Sequence, residues 1–217
     1  MDDAARRAAG KRILIIQGHP DPGERHFGHA LASAYAVGAY GAGHELRTIE
    51  LSKLSFPLLR SAREFYQGPI PEAVLAVQGD MRWAQHLVLV FPIWHGHMPA
   101  LLHAFLEQTF RPGFSVEIRA GGRPKKLLTG KTARLIATMG MPPFIFQWHF
   151  GSHSLTALKR NILHFAGIRP VHTTVIGGLG FGQPGLPQPL LGISALVDAA
   201  RLDKALDKVR RLGLRGC

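Results

Sequence analysis

The chain has a single cysteine in 217 residues, and that one, Cys217, stands last. An intrachain disulfide and a cysteine-based metal site are thereby excluded. Long apolar runs are missing too. None approaches the ~20 residues that cross a bilayer, and the opening MDDAARRAAGKR has no apolar segment of the kind a secretory signal carries. The expectation is a cytoplasmic protein with no membrane span. Internal repeats, a G-x-G-x-x-G and a Walker sequence are also absent, so a dinucleotide or nucleoside-triphosphate domain of those types has no support. Acidic residues are scarce, 14 against 26 Lys and Arg, for a formal net charge of +12. That excess suits nucleic acid, an anionic membrane surface, a phosphorylated cofactor such as NADPH, or merely a basic surface. The basic residues are scattered apart from Arg123 to Lys126 and the stretch Lys208 to Arg215, and neither cluster is interleaved with aromatics. With no helix-turn-helix, zinc or RNP pattern, no nucleic-acid partner is expected.

At 46% hydrophobic the chain can bury one α/β core and is short for two. One domain over 1–217 is expected, with 1–11 disordered and a C-terminal helix within 190–217. The most informative stretch is LVLVFPIWHGHMPALLHAFLEQTFRPGF, Leu87 to Phe114. Leu87 to Phe91 reads as a strand buried on both faces, ended by Pro92, which cannot donate a ladder hydrogen bond. From Pro99 onward Leu102, Phe105, Leu106 and Thr109 recur at helical spacing, and proline is tolerated in a first helical turn. The turn between, Ile93 to Met98, carries Trp94, His95 and His97 on a backbone loosened by Gly96. In an open parallel sheet, ligands sit at such strand ends.

Taken in order, Arg12 to Gln17 (RILIIQ) is a first buried strand. His19 to Gly28 follows as a glycine- and proline-rich loop, and Ala30 to Ala39 as a small-residue helix. Strand, loop and helix start in that order make an anion site, because free N–H groups and the positive end of the helix dipole face the loop. His19, His26 and His29 read equally as ordinary loop histidines. His44 to Leu51 alternates as an edge strand, Leu54 to Pro71 is irregular, and Pro71 to Gln85 is a helix on Val74, Val77, Met81 and Ala84. Ser115 to Gly130 reads as a surface excursion. Thr132 to Thr138 is a fourth strand, followed by an aromatic loop (MGMPPFIFQWHFGSHS). Leu155 to Phe165 is a helix closed by Gly167, Pro170 to Gly177 holds a fifth strand, and Ile193 to Leu212 is amphipathic with Leu196, Ala199, Ala200 and Leu206 on one side. The architecture expected is α/β, a doubly wound five-stranded parallel sheet.

FPIWHGHMPALLHAFLEQTFRPGF resembles the flavin-contacting segment of the NAD(P)H:quinone oxidoreductases. This flavodoxin-like family includes modulator of drug activity B and the ancillary flavoproteins of potassium efflux systems. Phe91, Pro92, Pro99, Ala100, Leu102, Phe105, Glu107, Gln108, Phe110, Gly113 and Phe114 match its pattern, while His95 and Gly96 stand where aromatics are usual. His19 and Phe27 fit the family's phosphate loop, with His26 where serine is usual. Thr138 and Gly140 fit its T-T-G-G loop, while Met139 and Met141 do not. Phe146 falls in the place of a relay Tyr, and His153 lies near that of a relay His.

The resemblance, over roughly residues 12 to 180, implies strand order 2-1-3-4-5, with the loops after strands one, three and four meeting at the switch point. It also implies FMN, or alternatively FAD, reduced by NADPH or NADH and reoxidised by a quinone in a two-electron ping-pong cycle. Cofactor contacts would come from His19, Arg25, His26, Phe27 and Gly28, from Pro92, Ile93, Trp94, His95 and Gly96, and from Thr138, Met139, Gly140 and Met141. Backbone N–H groups of the last three would face the ring's anionic edge, Phe146 and Trp148 would line a substrate slot, and His153 or His149 would supply a proton. No metal is expected. The resemblance further implies a homodimer, since sites of this family borrow aromatics from a second subunit and Trp148, Phe150 and their neighbours lie on a loop the chain's own core need not bury; a regulatory subunit of a membrane transporter is the alternative function.

Overall fold

The computed structural model describes residues 10–23, 26–118, 124–148, 151–178 and 199–217. Expectations that fall on 1–9, Arg25, Arg123, His149, Phe150 and Leu196 lie outside them. The strands are β1 (Arg12–Gln17), β2 (Glu45–Glu50), β3 (His86–Pro92), β4 (Val116–Ile118), β5 (Pro124–Lys126), β6 (Thr132–Thr138) and β7 (Val171–Ile176). The helices are α1 (Phe27–Gly41), α2 (Ala62–Gln67), α3 (Glu72–Trp83), α4 (Ala100–Thr109), α5 (Pro143–Trp148), α6 (His153–Ala157), α7 (His164–Ala166) and α8 (Ala199–Leu214), with a π-helical stretch, Leu158–Leu163, joining α6 to α7.

Five parallel strands form the sheet in the order β2-β1-β3-β6-β7, which is 2-1-3-4-5 when only its own strands are counted. Alternate residues of the central strands feed two cores, as strands buried on both faces must. Leu14, Ile16, Leu87, Leu89, Phe91 and Leu135 pack under Val77 and Met81 of α3 and under Leu102, Phe105 and Leu106 of α4. On the opposite face Ile13, Ile15, Val88, Val90 and Ile136 pack under Leu31, Tyr35 and Ala39 of α1 and Val209 of α8. Each such side chain, fully enclosed, contributes about 1.5–3 kcal/mol.

Several expectations need correction. The irregular Leu54 to Pro71 segment contains α2, started by a capping box in which Ser61 Oγ accepts from the Glu64 N–H at 3.1 Å while the Glu64 carboxylate accepts from the Arg60 N–H. That segment is pinned from beneath by Arg111, 3% exposed, whose guanidinium donates to the carbonyls of Glu64, Phe65, Gly68 and Pro69. Gln108 Nε2 adds a bond to Pro57 O at 2.7 Å. The Ser115 to Gly130 excursion is a two-stranded antiparallel hairpin whose ends, Ser115, Val116 and Leu128, are buried. The aromatic loop after β6 contains a short helix, α5. On α8 the inward residues are Ala205, Leu206, Val209 and Leu212, while Ala200 is exposed. Small residues set how closely α1 and α8 approach. A Cβ on Gly38 would lie 2.0 Å from Arg210 O, and one on Gly213 would lie 2.1 Å from Tyr35 O.

Candidate active site

Because β1, β3 and β6 are adjacent and parallel, the segments that leave their carboxyl ends share one edge of the sheet. Gly18, directly after β1, donates to Val90 O at 2.8 Å. A Cβ there would come within 2.9 Å of Leu102 Cδ2 and 3.1 Å of Phe91 Cβ, so the β1 exit lies tight on α4 and β3. From this exit the chain turns through His19 and Asp21 into α1, which begins at Phe27, two residues into what reads as loop. His26 is the N-cap, and no side chain caps the first turn.

Three imidazoles gather at this helix start. His19 and His26 stack with ring centroids 3.8 Å apart, and His29 lies 5.9 Å from His19 and 5.8 Å from His26. Asp21 organises the turn: its Oδ1 accepts from Gly23 N–H at 2.9 Å, its Oδ2 meets His26 Nε2 at 2.6 Å, and its own N–H donates to His19 Nδ1 at 3.1 Å. The Gly23 bond, then that to His26, holds the Asp21 carboxyl below its usual range. Burial, then the neighbouring His26, lowers the His19 imidazole. His29 Nε2 is enclosed without a hydrogen-bond partner.

The second segment meets the first through Trp94, whose ring stands edge-on to His19 at 5.7 Å. Trp94 and His97 exchange both backbone hydrogen bonds at 2.8 Å, and between them His95 and Gly96 both take positive φ, 49° and 77°. This is a two-residue primed hairpin turn, which histidine tolerates and glycine favours. It explains why aromatics are missing at these positions: His95 is exposed and Gly96 serves the turn. The turn leaves Trp94 46% exposed at the mouth of the edge.

The third segment is tied to the second by Ile93 N–H donating to Thr138 O at 2.7 Å. Here the expected backbone donors are fewer. Met139 N–H is already bonded to Ile176 O at 3.0 Å and the Met139 side chain is buried, which leaves Gly140 and Met141 as the outward-facing part of the trio. Met141 O accepts from Gly178 N–H at 2.9 Å, and a Cβ on Gly177 would lie 2.5 Å from that same oxygen, so the end of β7 holds this segment closely.

Other proposed residues lie elsewhere. Phe146 is fully buried in the core beneath the sheet, because α5 turns it inward, and so it does not wall an open slot. Trp148 is 91% exposed and Phe144 64% exposed on the same short helix. His153 is exposed at the first residue of α6, with its ring folded back over Gly151. Phe27 and Gly28 sit half-buried in the first turn of α1, and Pro92 closes β3 opposite Thr138. Reading the sequence missed the organising role of Asp21, although P-D-P-G is a turn sequence in which Asp bonds the backbone two residues on. It also left His29 out of the cofactor contacts, although it weighed that residue equally with His19 and His26. Among the described residues, no group of three or more His, Cys, Asp or Glu is placed to hold a metal ion. No described helix is long and apolar enough to cross a membrane.

A doubly wound sheet in this order, with its polar and aromatic residues gathered where the first, third and fourth strands end, is that of a flavodoxin-like protein. The family model for the flavodoxin-like fold matches residues 11–188, and the chain belongs to that family. It is similar to the ribosyldihydronicotinamide dehydrogenase-like protein traD of Penicillium crustosum, 28% identical over 59% of this chain and 57% of that one. It also resembles the FMN-dependent NADH:quinone oxidoreductase 1 of Bacillus subtilis (strain 168), 30% identical over 44% of this chain and 45% of that one. The chain thus spans about half the length of these curated relatives. Among solved structures, the NAD(P)H:quinone oxidoreductase of Methanothermobacter marburgensis shares the fold at a TM-score of 0.72, with 20% identity over 95% of this chain and 96% of that one.

Proposed function

We propose that this chain is a flavin-dependent oxidoreductase that moves two electrons from NADPH or NADH to a quinone, with FMN as its cofactor. The observation that carries the reading is the meeting of an uncapped helix start, three histidines and an exposed tryptophan where β1, β3 and β6 end. FMN suits these residues better than FAD does. Its terminal phosphate matches the histidine cluster at the positive end of α1, within which His29 Nε2 is enclosed with no hydrogen-bond partner. The FMN dependence of the Bacillus subtilis relative points the same way.

In this reading His19, His26 and His29 hold the phosphate with the first-turn N–H groups of α1. Trp94 walls one side of the ring, and the backbone of Gly140 and Met141 borders its polar edge. When bound, FMN supplies the hydride acceptor and two-electron donor that the chain lacks. The protein's contribution is to fix the ring and leave one face open, so that donor and acceptor take turns within the ~3–3.5 Å that transfer needs. Met139 N–H contributes nothing outward, and proton supply rests with solvent or with His153 and His149 on the segment around α6. A homodimer would cover Phe144 and Trp148, which the chain's own core leaves exposed.

Denaturing the purified protein and weighing the released chromophore tests the cofactor, with FMN expected. A protein that takes up neither FMN nor FAD sinks the reading. Steady-state quinone reduction should give parallel double-reciprocal plots, and intersecting lines would show both substrates bound at once. Light scattering at micromolar concentration should give twice the chain mass.

A further inference from the structure

The three histidines crowd one another at the positive end of a helix, and among the described residues little balances them. His19 and His26 are in stacking contact, His29 is within 6 Å of both, and α1 has no acidic residue in its first turn. Among the described residues, the charged groups that face this cluster are few. From the segment after β1 there is Asp21, whose carboxylate is exposed and shared between His26 and the Gly23 N–H. From the turn after β3 comes uncharged Trp94, while His95 is exposed and His97 lies against His103. Glu24 and Arg25 adjoin in sequence and lie outside the described residues. One carboxylate offsets about one imidazolium. A second positive charge stacked on the first, beside a helix N-terminus, is opposed by Coulomb repulsion until an anion of higher charge arrives.

Resting on the flavin reading above, we propose that the His19–His26–His29 cluster selects a phosphate monoester dianion, the terminal group of FMN, and takes up protons as it binds. Riboflavin lacks the charge. The two phosphates of FAD are joined as a pyrophosphate esterified at both ends, each with one negative charge, and so reward a second imidazolium less than a monoester dianion does. The histidines thus decide which flavin is kept, and they couple cofactor loading to pH. The lowered affinity of His19 for a proton agrees with this stacked geometry, since burial, then the neighbouring His26, opposes its charge. The phosphate has its second ionisation near ~6 and free histidine titrates near ~6.5. Between about pH 7 and 8.5 the ligand is therefore already a dianion, and any proton taken up there belongs to the protein.

The test is isothermal titration of the cofactor-free full-length protein with FMN, FAD and riboflavin. It is run from pH 7 to 8.5, each time in two buffers of different ionisation enthalpy. FMN affinity should fall about tenfold per pH unit for each proton taken up. The apparent enthalpy should depend on the buffer for FMN and not for riboflavin, whose affinity should be flat with pH. His19→Gln and His26→Gln should each weaken FMN by roughly tenfold or more, leave riboflavin unchanged and flatten the pH slope. Circular dichroism checks their folding, and the wild-type slope decides the matter if a variant fails to fold. FMN bound with a flat pH profile and buffer-independent heat would overturn the proposal while leaving the flavin reading intact. Failure of all three flavins to bind would remove both.

Discussion

His86 is 1% exposed at the start of β3, where its Nδ1 meets Thr132 Oγ1 at 2.6 Å and its Nε2 has no partner. Burial, then the nearby Lys11 and Arg134 charges, pushes its pKa from 6.5 down to about 3. The unfolded chain therefore binds a proton here that the folded chain refuses. The stabilisation is fully present above pH 6.5 and is lost as pH falls from 6.5 toward 3, at up to about 1.4 kcal/mol per pH unit. Urea denaturation at pH 7, 6 and 5 should show that decline. His86→Gln, which keeps a polar neighbour for Thr132 and removes the titration, should reduce the slope. Some decline should remain, since His19 and His44 are shifted the same way. At the other end of β3, Gly96→Val places a β-branched residue at positive φ and should cost about 1–2 kcal/mol. His95→Asn, which gives the pair best suited to this turn, should change stability by less than about 0.5 kcal/mol. The sequence showed a turn at Ile93 to Met98 but not its hairpin type, because His-Gly is a far weaker hairpin signal than Asn-Gly.

Among elements, those set by strong patterns were read to the residue: Arg12–Gln17 and Thr132–Thr138 are the strands expected from continuous apolar runs. The misses were short helices beside prolines. S-A-R-E at Ser61 is a capping-box sequence, yet Pro57 and Pro69 around it argue for a loop, and the local cap prevailed because Arg111 supplies the carbonyl partners that a six-residue helix cannot find for itself. Arg111→Lys replaces a five-donor fork by a point charge. It should cost about 2–4 kcal/mol, with amide exchange accelerating over 62–70 ahead of the rest of the chain. The α1–α8 contact offers a sharper test. Alanine favours a helix over glycine by ~1 kcal/mol, so Gly79→Ala, in open space on α3, should stabilise by up to about that amount. Gly213→Ala gains the same propensity but drives its Cβ onto the Tyr35 carbonyl, and should destabilise by a net 1–3 kcal/mol. Equal shifts in melting temperature for the two would show that α8 has room to move.

Over the whole molecule, the topology was legible because five strand patterns, the central ones buried runs, alternate with helical periods and admit few arrangements, and the family resemblance chose among them. The site was legible as three loops but not as a set of contacts. Which N–H is already committed to the sheet, and which aromatic points inward, depends on registers such as Thr138↔Ile176 that no local pattern displays. One further consequence follows from α1. Its first turn carries the histidine cluster, and its later turns, around Tyr35 and Gly38, interlock with α8. If the seam and the helix start open together, a ligand at the start restrains the far helix by mass action, through RT ln(1 + [L]/Kd). FMN at a hundred times its Kd should then slow deuterium uptake in 205–213 by about 100-fold, although α8 contributes no residue to the site as described. Uptake in α8 unchanged while α1 is protected would show the seam opening on its own. Slowed uptake would make the last helix a remote gauge of cofactor occupancy.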